Sequence, residues 1–363
     1  EISFTLPYSW ETKKTTAFNS MKIHFKGTRG SIPTAYSAND IKNKVVSALL
    51  AARGKELRSE GQIREFVDKK LPFQVGSGWG GNTPCVYVET GSDEKLIFDG
   101  GSGLRVLGQE FIKAGISNTT FHVFLSHLHY DHVQGIPFFI PAYDSSNHIV
   151  FHGGHQAIEN ALTSQMAPPF FPIGIDAFKA KISFQLHKPG DEINECDATI
   201  TLFEQDHPGV SYGYRVESKG KSMVYSTDAE HANDAHKTSY PFIDFIHGAN
   251  LLIFDAPYTH SQSISIREHW GHSSNIMGVE LAARGEVEIL AIFHHDPGSS
   301  DNEIESLQAH TKKFLQSSRT AIKETRSGIP GAPTTRKFPT EILHSHDGSV
   351  SYTHLRAHET HND

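Results

Sequence analysis

An apolar run that ends in four ionisable side chains constrains this chain more than any other feature. In FLSHLHYDHVQG, Phe124 to Gly135, the run FHVFLS passes directly into His127, His129, Asp131 and His132. Such residues beside a buried strand are expensive unless a metal or hydrogen-bond partners replace their lost hydration. In extended chain, residues two apart point the same way, so His127 and His129 share one direction. Asp131 and His132 lie past the bend and point elsewhere. Imidazole and carboxylate suit zinc, iron or manganese, and no thiolate is on offer. The stretch reads as the start of a metal site whose other ligands come from elsewhere in the chain.

Those ligands are sought at the ends of other apolar runs. Asp99 ends KLIFD, His207 ends TLFEQDH, Asp228 ends MVYSTD and His294 follows ILAIF. Strand ends in a layered sheet can converge on one edge, and rigid strands place ligands accurately. His207 would join His127 and His129 in a three-histidine set with one position open to water. His294 would join Asp131 and His132 at a second ion, and Asp228 would bridge the two. Ions bridged in this way lie about 3.5–4 Å apart. A lone buried histidine at a strand end is more often a hydrogen-bonded core residue, and His152, His155, His231, His260 and His295 stay in that class. Asp206, beside His207, reads as a supporting or loop carboxylate.

Hydrophobic periodicity places these residues on a fold. MKIHFKGTRGSIP reads as a first strand and a turn. A helical insert over 37–76 follows, with capping signals at Ser37–Asp40 and Ser59–Gln62 and an apolar face of Ile41, Val45, Leu49 and Leu50. Strands are predicted at CVYVET, KLIFDG, FHVFLSH, HIVFHGG, KISFQLH, ATITLFEQDH, SYGYRVES, KSMVYSTD, NLLIFDAP and EILAIFHHD. Helices are predicted at AIENALTSQM, NIMGVELAARG and Ser300 to Ser317. This order predicts a layered α/β sandwich around one core. No repeat is visible in the sequence.

Composition narrows the alternatives. With 363 residues, 37% of them hydrophobic, the chain can bury a sizeable core. Two cysteines, Cys85 and Cys196, are too few for a disulfide framework. A net charge of -8 argues against a long polyanionic partner. No apolar stretch is long enough to span a membrane. Residues 1–20 carry no signal-peptide pattern and read as an extension before Met21, so a cytoplasmic location is expected. Residues 321–349 read as a C-terminal strand or extension. From Val350 onward the chain resembles a translated cloning tail. His344, His346, His354, His358 and His361 are discounted for their place near the C-terminus.

Taken together, the motifs resemble the metallo-β-lactamase fold superfamily, in its phosphodiesterase and tRNase Z-like branch. GTRGSIP and GGNTPCVYVET resemble that branch's opening strands, FDGGSGLR its first motif and SHLHYDHVQGIPFF its metal motif. DHPGVSYGYR, YSTDAE, WGHSSN and FHHDP resemble the later motifs, in order. The resemblance implies a four-layer αββα sandwich, over roughly 21–320, carrying two divalent ions, zinc first with manganese or iron as alternatives. It implies His127, His129 and His207 at one ion, Asp131, His132 and His294 at the other, and Asp228 between them. Asp99 would brace the metal loop through hydrogen bonds. His272, in Gly271-His272-Ser273, would face the scissile phosphate, with Asp131 and His272 as the catalytic pair. Tyr130, inside the motif, reads as a packing residue rather than a lactonase-type tyrosine.

The implied activity is hydrolysis of a small or cyclic phosphodiester by a hydroxide shared between the ions. A tRNase Z-like endonuclease is one alternative. Against it, His207 to Asp228 leaves room only for a hairpin, where that branch commonly inserts a tRNA-gripping arm. A lactonase or thioesterase of the same fold, or a metal-binding module without turnover, completes the set. Nucleic acid is a less favoured partner than a small diester. The insert is read as a dimer contact or decoration before a lid, and a homodimer is compatible with the resemblance.

Overall fold

Two runs of strands, each antiparallel at first and parallel afterwards, organise the chain. The structure is a computed structural model and describes residues 21–231, 235–237, 239–265, 270–326, 337–343 and 345–352. In the first sheet β1 (Lys22–Gly27), β2 (Cys85–Glu89), β3 (Lys95–Phe98), β4 (Thr120–Phe124), β5 (His148–Gly153) and β6 (Lys181–Leu186) lie side by side in chain order. The second sheet repeats the plan with β7 (Glu192–Glu195), β8 (Ala198–Gln205), β9 (Ser211–Ser218), β10 (Lys221–Ser226), β11 (Leu251–Asp255), β12 (Ile289–Phe293) and β13 (Glu341–Leu343). A last strand, β14 (Val350–Tyr352), returns to pair antiparallel with β1. Both sheets then share one ladder, antiparallel from β14 to β3 and from β7 to β10, and parallel from β3 to β6 and from β10 to β13. The repeat is one of topology, which explains its absence from the sequence.

Helices α1 (Ala38–Ala52), α2 (Glu60–Lys70) and α3 (Phe73–Gly76) form the insert. Next come α4 (Gly103–Lys113), α5 (Tyr130–Val133) and α6 (Ile158–Gln165), then α7 (Pro241–Ile246), α8 (His260–Ser265), α9 (Asn275–Arg284) and α10 (Asp301–Arg326). The period-2 alternation of the strands divides the apolar side chains into layers. Phe25, Phe98, Phe124, Tyr214, Tyr225 and Phe293 meet between the sheets. Leu104, Leu107 and Phe111 of α4 and Leu162 of α6 cover the outer face of the first sheet against Phe121 and Phe151. Phe242, Val279, Leu281 and Leu315 cover the second against Phe254 and Ile292. Each such side chain contributes roughly 1.5–3 kcal/mol on burial. The arrangement is the αββα sandwich expected from the sequence.

Both capping boxes of the insert form, Ser37 with Asp40 and Ser59 with Gln62. Lys44 ties α1 to the start of α10 by donating to Asp301 Oδ2 at 2.6 Å. The apolar row on α1 faces outward, with Leu49 67% and Leu50 65% exposed. Two boundaries differ from the sequence reading. The closing helix runs on to Arg326, because SSRTAIKETR keeps supplying helix formers. The first residues of the supposed tail, Val350–Tyr352, pair with Lys22–His24 and belong to the first sheet. Nearby, Asp347 accepts from the backbone N–H groups of Thr28, Gly81 and Asn82, so this C-terminal segment is part of the packed fold. Residues 1–20, His344 and 353–363 lie outside the described residues. Among the described residues no helix is long and apolar enough to cross a membrane.

Candidate metal centre

The parallel strands of both sheets end on one edge, and the ionisable residues hang from those ends. Asp99 follows β3, His127 to His132 follow β4, Asp228 follows β10, and His294 follows β12. Asp99, Asp228 and His294 have φ of 60°, 46° and 60°. A non-glycine residue in that region costs about 1–3 kcal/mol. Here the left-handed residue breaks each strand and swings its side chain into the seam between the sheets.

The side chains assemble as two sets sharing one carboxylate. His127, His129, His207 and Asp228 place donor atoms within 4.8 Å of one another, and so do Asp131, His132 and His294. Asp228 Oδ2 lies 3.7 Å from both His127 Nε2 and His207 Nε2. Its Oδ1 lies 3.2 Å from both His132 Nε2 and His294 Nε2. Asp131 Oδ2 stands 3.3 Å from His132 Nε2 and 3.2 Å from His294 Nε2, and accepts from Ser31 N–H at 2.7 Å. All are buried except His129, which opens to solvent.

Three of the imidazoles are held by partners on Nδ1, which turns Nε2 toward the cluster. His132 Nδ1 is 2.7 Å from Asp99 Oδ2, His127 Nδ1 is 3.1 Å from Ser126 Oγ, and His207 Nδ1 is 2.9 Å from the Gly271 carbonyl. Partners of this kind fix ring orientation and tautomer in metal sites. Gly271 has φ +80°, and a Cβ there would come within 2.3 Å of His207 Nδ1, so only glycine permits this carbonyl contact. His127 Nε2 and His132 Nε2 are buried without any hydrogen-bond partner. Orphaned inner nitrogens facing carboxylates are what a cation would satisfy, so the residues fit a divalent metal. Burial opposes the charged forms of Asp131 and Asp228, yet the surrounding imidazoles hold both carboxylates well below their usual range. Burial, with the neighbouring imidazoles, drives His127 down.

Asp99 does not face the sets but braces them. It accepts from Ser126 N–H at 2.7 Å, Ser126 Oγ–H at 2.8 Å and Tyr225 Oη–H at 2.7 Å. Tyr225 reaches it from the opposite sheet and is fully buried. Tyr225→Phe is expected to weaken metal affinity by about 10–100-fold and stability by about 1.5–3 kcal/mol. Metal competition titration and chemical denaturation would read the two effects, and an unchanged affinity would show that Ser126 and His132 suffice to hold Asp99.

His272 joins this centre, with a nitrogen within 4.8 Å of donor atoms on Asp228 and His294. Its ring stacks on His294 at 5.0 Å. Its Nδ1 lies 2.9 Å from Asp255 Oδ2. Burial opposes its protonation, but Asp255, with Asp228 and Asp131 beyond, pushes it up to about 9. Asp255 also accepts from Ala229 N–H at 3.1 Å and sits 3.6 Å from His294 Nδ1. Sequence reasoning missed it, although it ends LLIFD just as Asp99 ends KLIFD. A cleft of about 540 Å³ opens beside His272, with Glu230, His260, Met277 and Arg284 on its walls.

Other expectations resolve individually. Ser274 caps α9 by accepting from Met277 N–H, so His272 is at once beside a helix cap and in the centre. His295 is buried with Nε2 on the Ser345 carbonyl and its ring against Trp79, leaving His294 as the residue that faces the cluster. Asp206 is an exposed loop carboxylate. Tyr130 does not pack: the turn of α5 directs it outward, 68% exposed. Between His207 and Asp228 the chain makes only the β9–β10 hairpin.

A family model described as beta-lactamase superfamily domain matches residues 98–295, more than half of the chain. The chain belongs to that superfamily. Ribonuclease Z of Haloferax volcanii is 22% identical to it over 235 residues, 61% of this chain and 69% of that protein. The metallo-beta-lactamase fold protein YhfI of Bacillus subtilis is similar at a TM-score of 0.58 and 18% identity, covering 92% of this chain and 99% of that one. A diphosphatase of the PhnP family gives 0.52 at 15% identity, covering 92% and 97%. The structural likenesses establish the fold. This superfamily member is a metallo-β-lactamase-fold hydrolase whose His and Asp clusters fit a divalent metal site.

Proposed function

We propose that the chain is a metal-dependent phosphodiesterase acting on a small or cyclic phosphodiester. The observation that carries this reading is Asp228, one carboxylate whose two oxygens face two separate ligand sets. His127, His129 and His207 would hold one divalent ion, Asp131, His132 and His294 the other, and Asp228 both. Zinc comes first for these donors, with manganese or iron as alternatives. When bound, the ions would polarise the phosphoryl group and acidify water toward a pKa of ~7.

The chain's own groups do the rest. Asp255 accepts from His272 Nδ1–H and so keeps the ring protonated, leaving Nε2 to hold a proton against a phosphoryl or leaving-group oxygen. Asp131 orients His132 and His294 while Ser31 N–H fixes its own carboxylate. The cleft beside His272 has the size of a small-molecule site. Phosphorus is preferred over a carbonyl substrate because the relatives carry the names ribonuclease and diphosphatase.

A ribonuclease Z-like activity on a tRNA precursor is the second reading, favoured by the Haloferax relative. The short β9–β10 hairpin and the charge of -8 favour the small diester. The test is a panel of bis-p-nitrophenyl phosphate, 3′,5′- and 2′,3′-cyclic nucleotides and a tRNA precursor, assayed after chelation and after return of Mn²⁺ or Zn²⁺. Small diesters should be cleaved, the activity should vanish with the chelator, and metal should restore it. Cleavage of the tRNA precursor alone would select the second reading. Hydrolysis of lactones or thioesters but of no diester would overturn both.

A further inference from the structure

A second group of ligating side chains lies at the opposite end of the sandwich, where the parallel strands begin. His122 is the third residue of β4, and Glu94 directly precedes β3. Across from them, Cys196 and Asp197 form the two-residue turn between β7 and β8, with Glu195 paired to Ala198. Glu94, His122 and Cys196 place donor atoms within 4.8 Å of one another. Glu195 Oε2 stands 3.8 Å from His122 Nε2, and Glu94 Oε2 3.5 Å. Ligand atoms bound tetrahedrally at about 2.0–2.3 Å are roughly 3.3–3.8 Å apart, so these spacings suit one ion among them.

His122 itself points to a ligand. It is 3% exposed, and Nε2 has no hydrogen-bond partner although it faces the two glutamates. Behind it runs a chain of imidazoles. His122 Nδ1 lies 3.0 Å from His152 Nε2, and His152 Nδ1 lies 3.0 Å from His187 Nε2. Burial lowers all three imidazoles, His152 to about 2, so the chain is held neutral. A neutral chain can order its protons in two directions. In one, His122 Nδ1–H donates inward and Nε2 presents a lone pair, which is the tautomer a cation requires. In the other, His122 Nε2–H points at Glu94 and Glu195 over distances too long for a good bond.

We propose that Glu94, His122, Glu195 and Cys196 form a separate site for a divalent cation of the zinc class. Binding breaks the Cys196 S–H bond, sends the proton to solvent and forms the metal–thiolate bond, with no change of oxidation state. Cys196 is buried in a thiol form that burial and the neighbouring carboxylates favour, and Lys95 nearby opposes them. An open polar recess of about 580 Å³ reaches Glu94, Glu195 and Cys196 from outside and gives the ion a path. His122 lies in the first sheet with Glu94 directly before its β3, and Glu195 lies in the second with Cys196 in its β7–β8 turn. The ion would therefore staple the two sheets at the end remote from the metal centre.

Cobalt(II) separates this site from the other. The His and Asp cluster offers no thiolate, whereas cobalt on Cys196 gives a cobalt–thiolate charge-transfer absorption. The full chain, stripped with a chelator, is titrated with cobalt chloride alone. A thiolate band saturating at one ion per chain is expected, together with a higher melting temperature. Cys196→Ser should abolish the band and keep the phosphodiesterase activity. Glu195→Gln, a milder change in a partly exposed side chain, should weaken the titration ~10-fold or more. Absence of any thiolate band at saturating cobalt, or a band that survives Cys196→Ser, would overturn the site.

Discussion

Asp228→Asn is expected to lower phosphodiester turnover by about three orders of magnitude and to reduce the bound metal. The carboxylate is 2% exposed and is the group common to both ligand sets. An amide keeps the volume but offers one acceptor oxygen and turns an NH₂ toward whichever set the oxygen does not face. Loss of several kcal/mol of charge stabilisation, at 1.36 kcal/mol per tenfold, gives the expected factor. The fold should survive, because Thr227 Oγ–H can still donate to the amide oxygen and the strand contacts of β10 are backbone ones. Metal analysis and turnover should be measured on the same sample. Full metal content with full turnover would remove Asp228 from the bridging position.

Much of this was legible from apolar runs that stop at a His or Asp. Period-2 burial along β1 and β8 and fully buried β11 and β12 left clear marks in the sequence. The local HxHxDH cluster announced the centre, because no ordinary core accommodates so many ionisable groups in one turn. Asp255 escaped because its significance lies in the orientation of two rings contributed by other segments, which no spacing encodes. The helix α4 is poorly marked in the sequence: Leu104, Leu107 and Phe111 stand at helical spacing, but its glycine-rich entry reads as a turn. β7 is four residues long and ends in a two-residue turn built on Cys196 and Asp197 rather than the usual Asn-Gly. By composition Val350–Tyr352 reads as tail, although the pairing of β14 to β1 needs only backbone groups. Tyr130 points outward rather than packing because a single helical turn follows His129.

His272→Ala and Asp255→Asn are expected to separate chemistry from support. Loss of the His272 imidazole should lower kcat by ~10²–10⁴-fold, the usual worth of a positioned acid or base. Metal content should stay at the wild-type level, because His272 is not one of the seven proposed ligands and its side chain is partly open at 12% exposure. Asp255→Asn reaches further. It removes the charge that keeps His272 protonated, and it disturbs His294, whose Nδ1 lies 3.6 Å from Asp255 Oδ1. Turnover and metal affinity should then fall together, the affinity by about 10–100-fold. The contrast is the informative quantity: if His272→Ala sheds metal as readily as Asp255→Asn, the ring is a packing support for His294, against which it stacks, and the proton must come from elsewhere. If only kcat falls, the proton on His272 Nε2 acts on the substrate, and Asp255 is the group that holds it there.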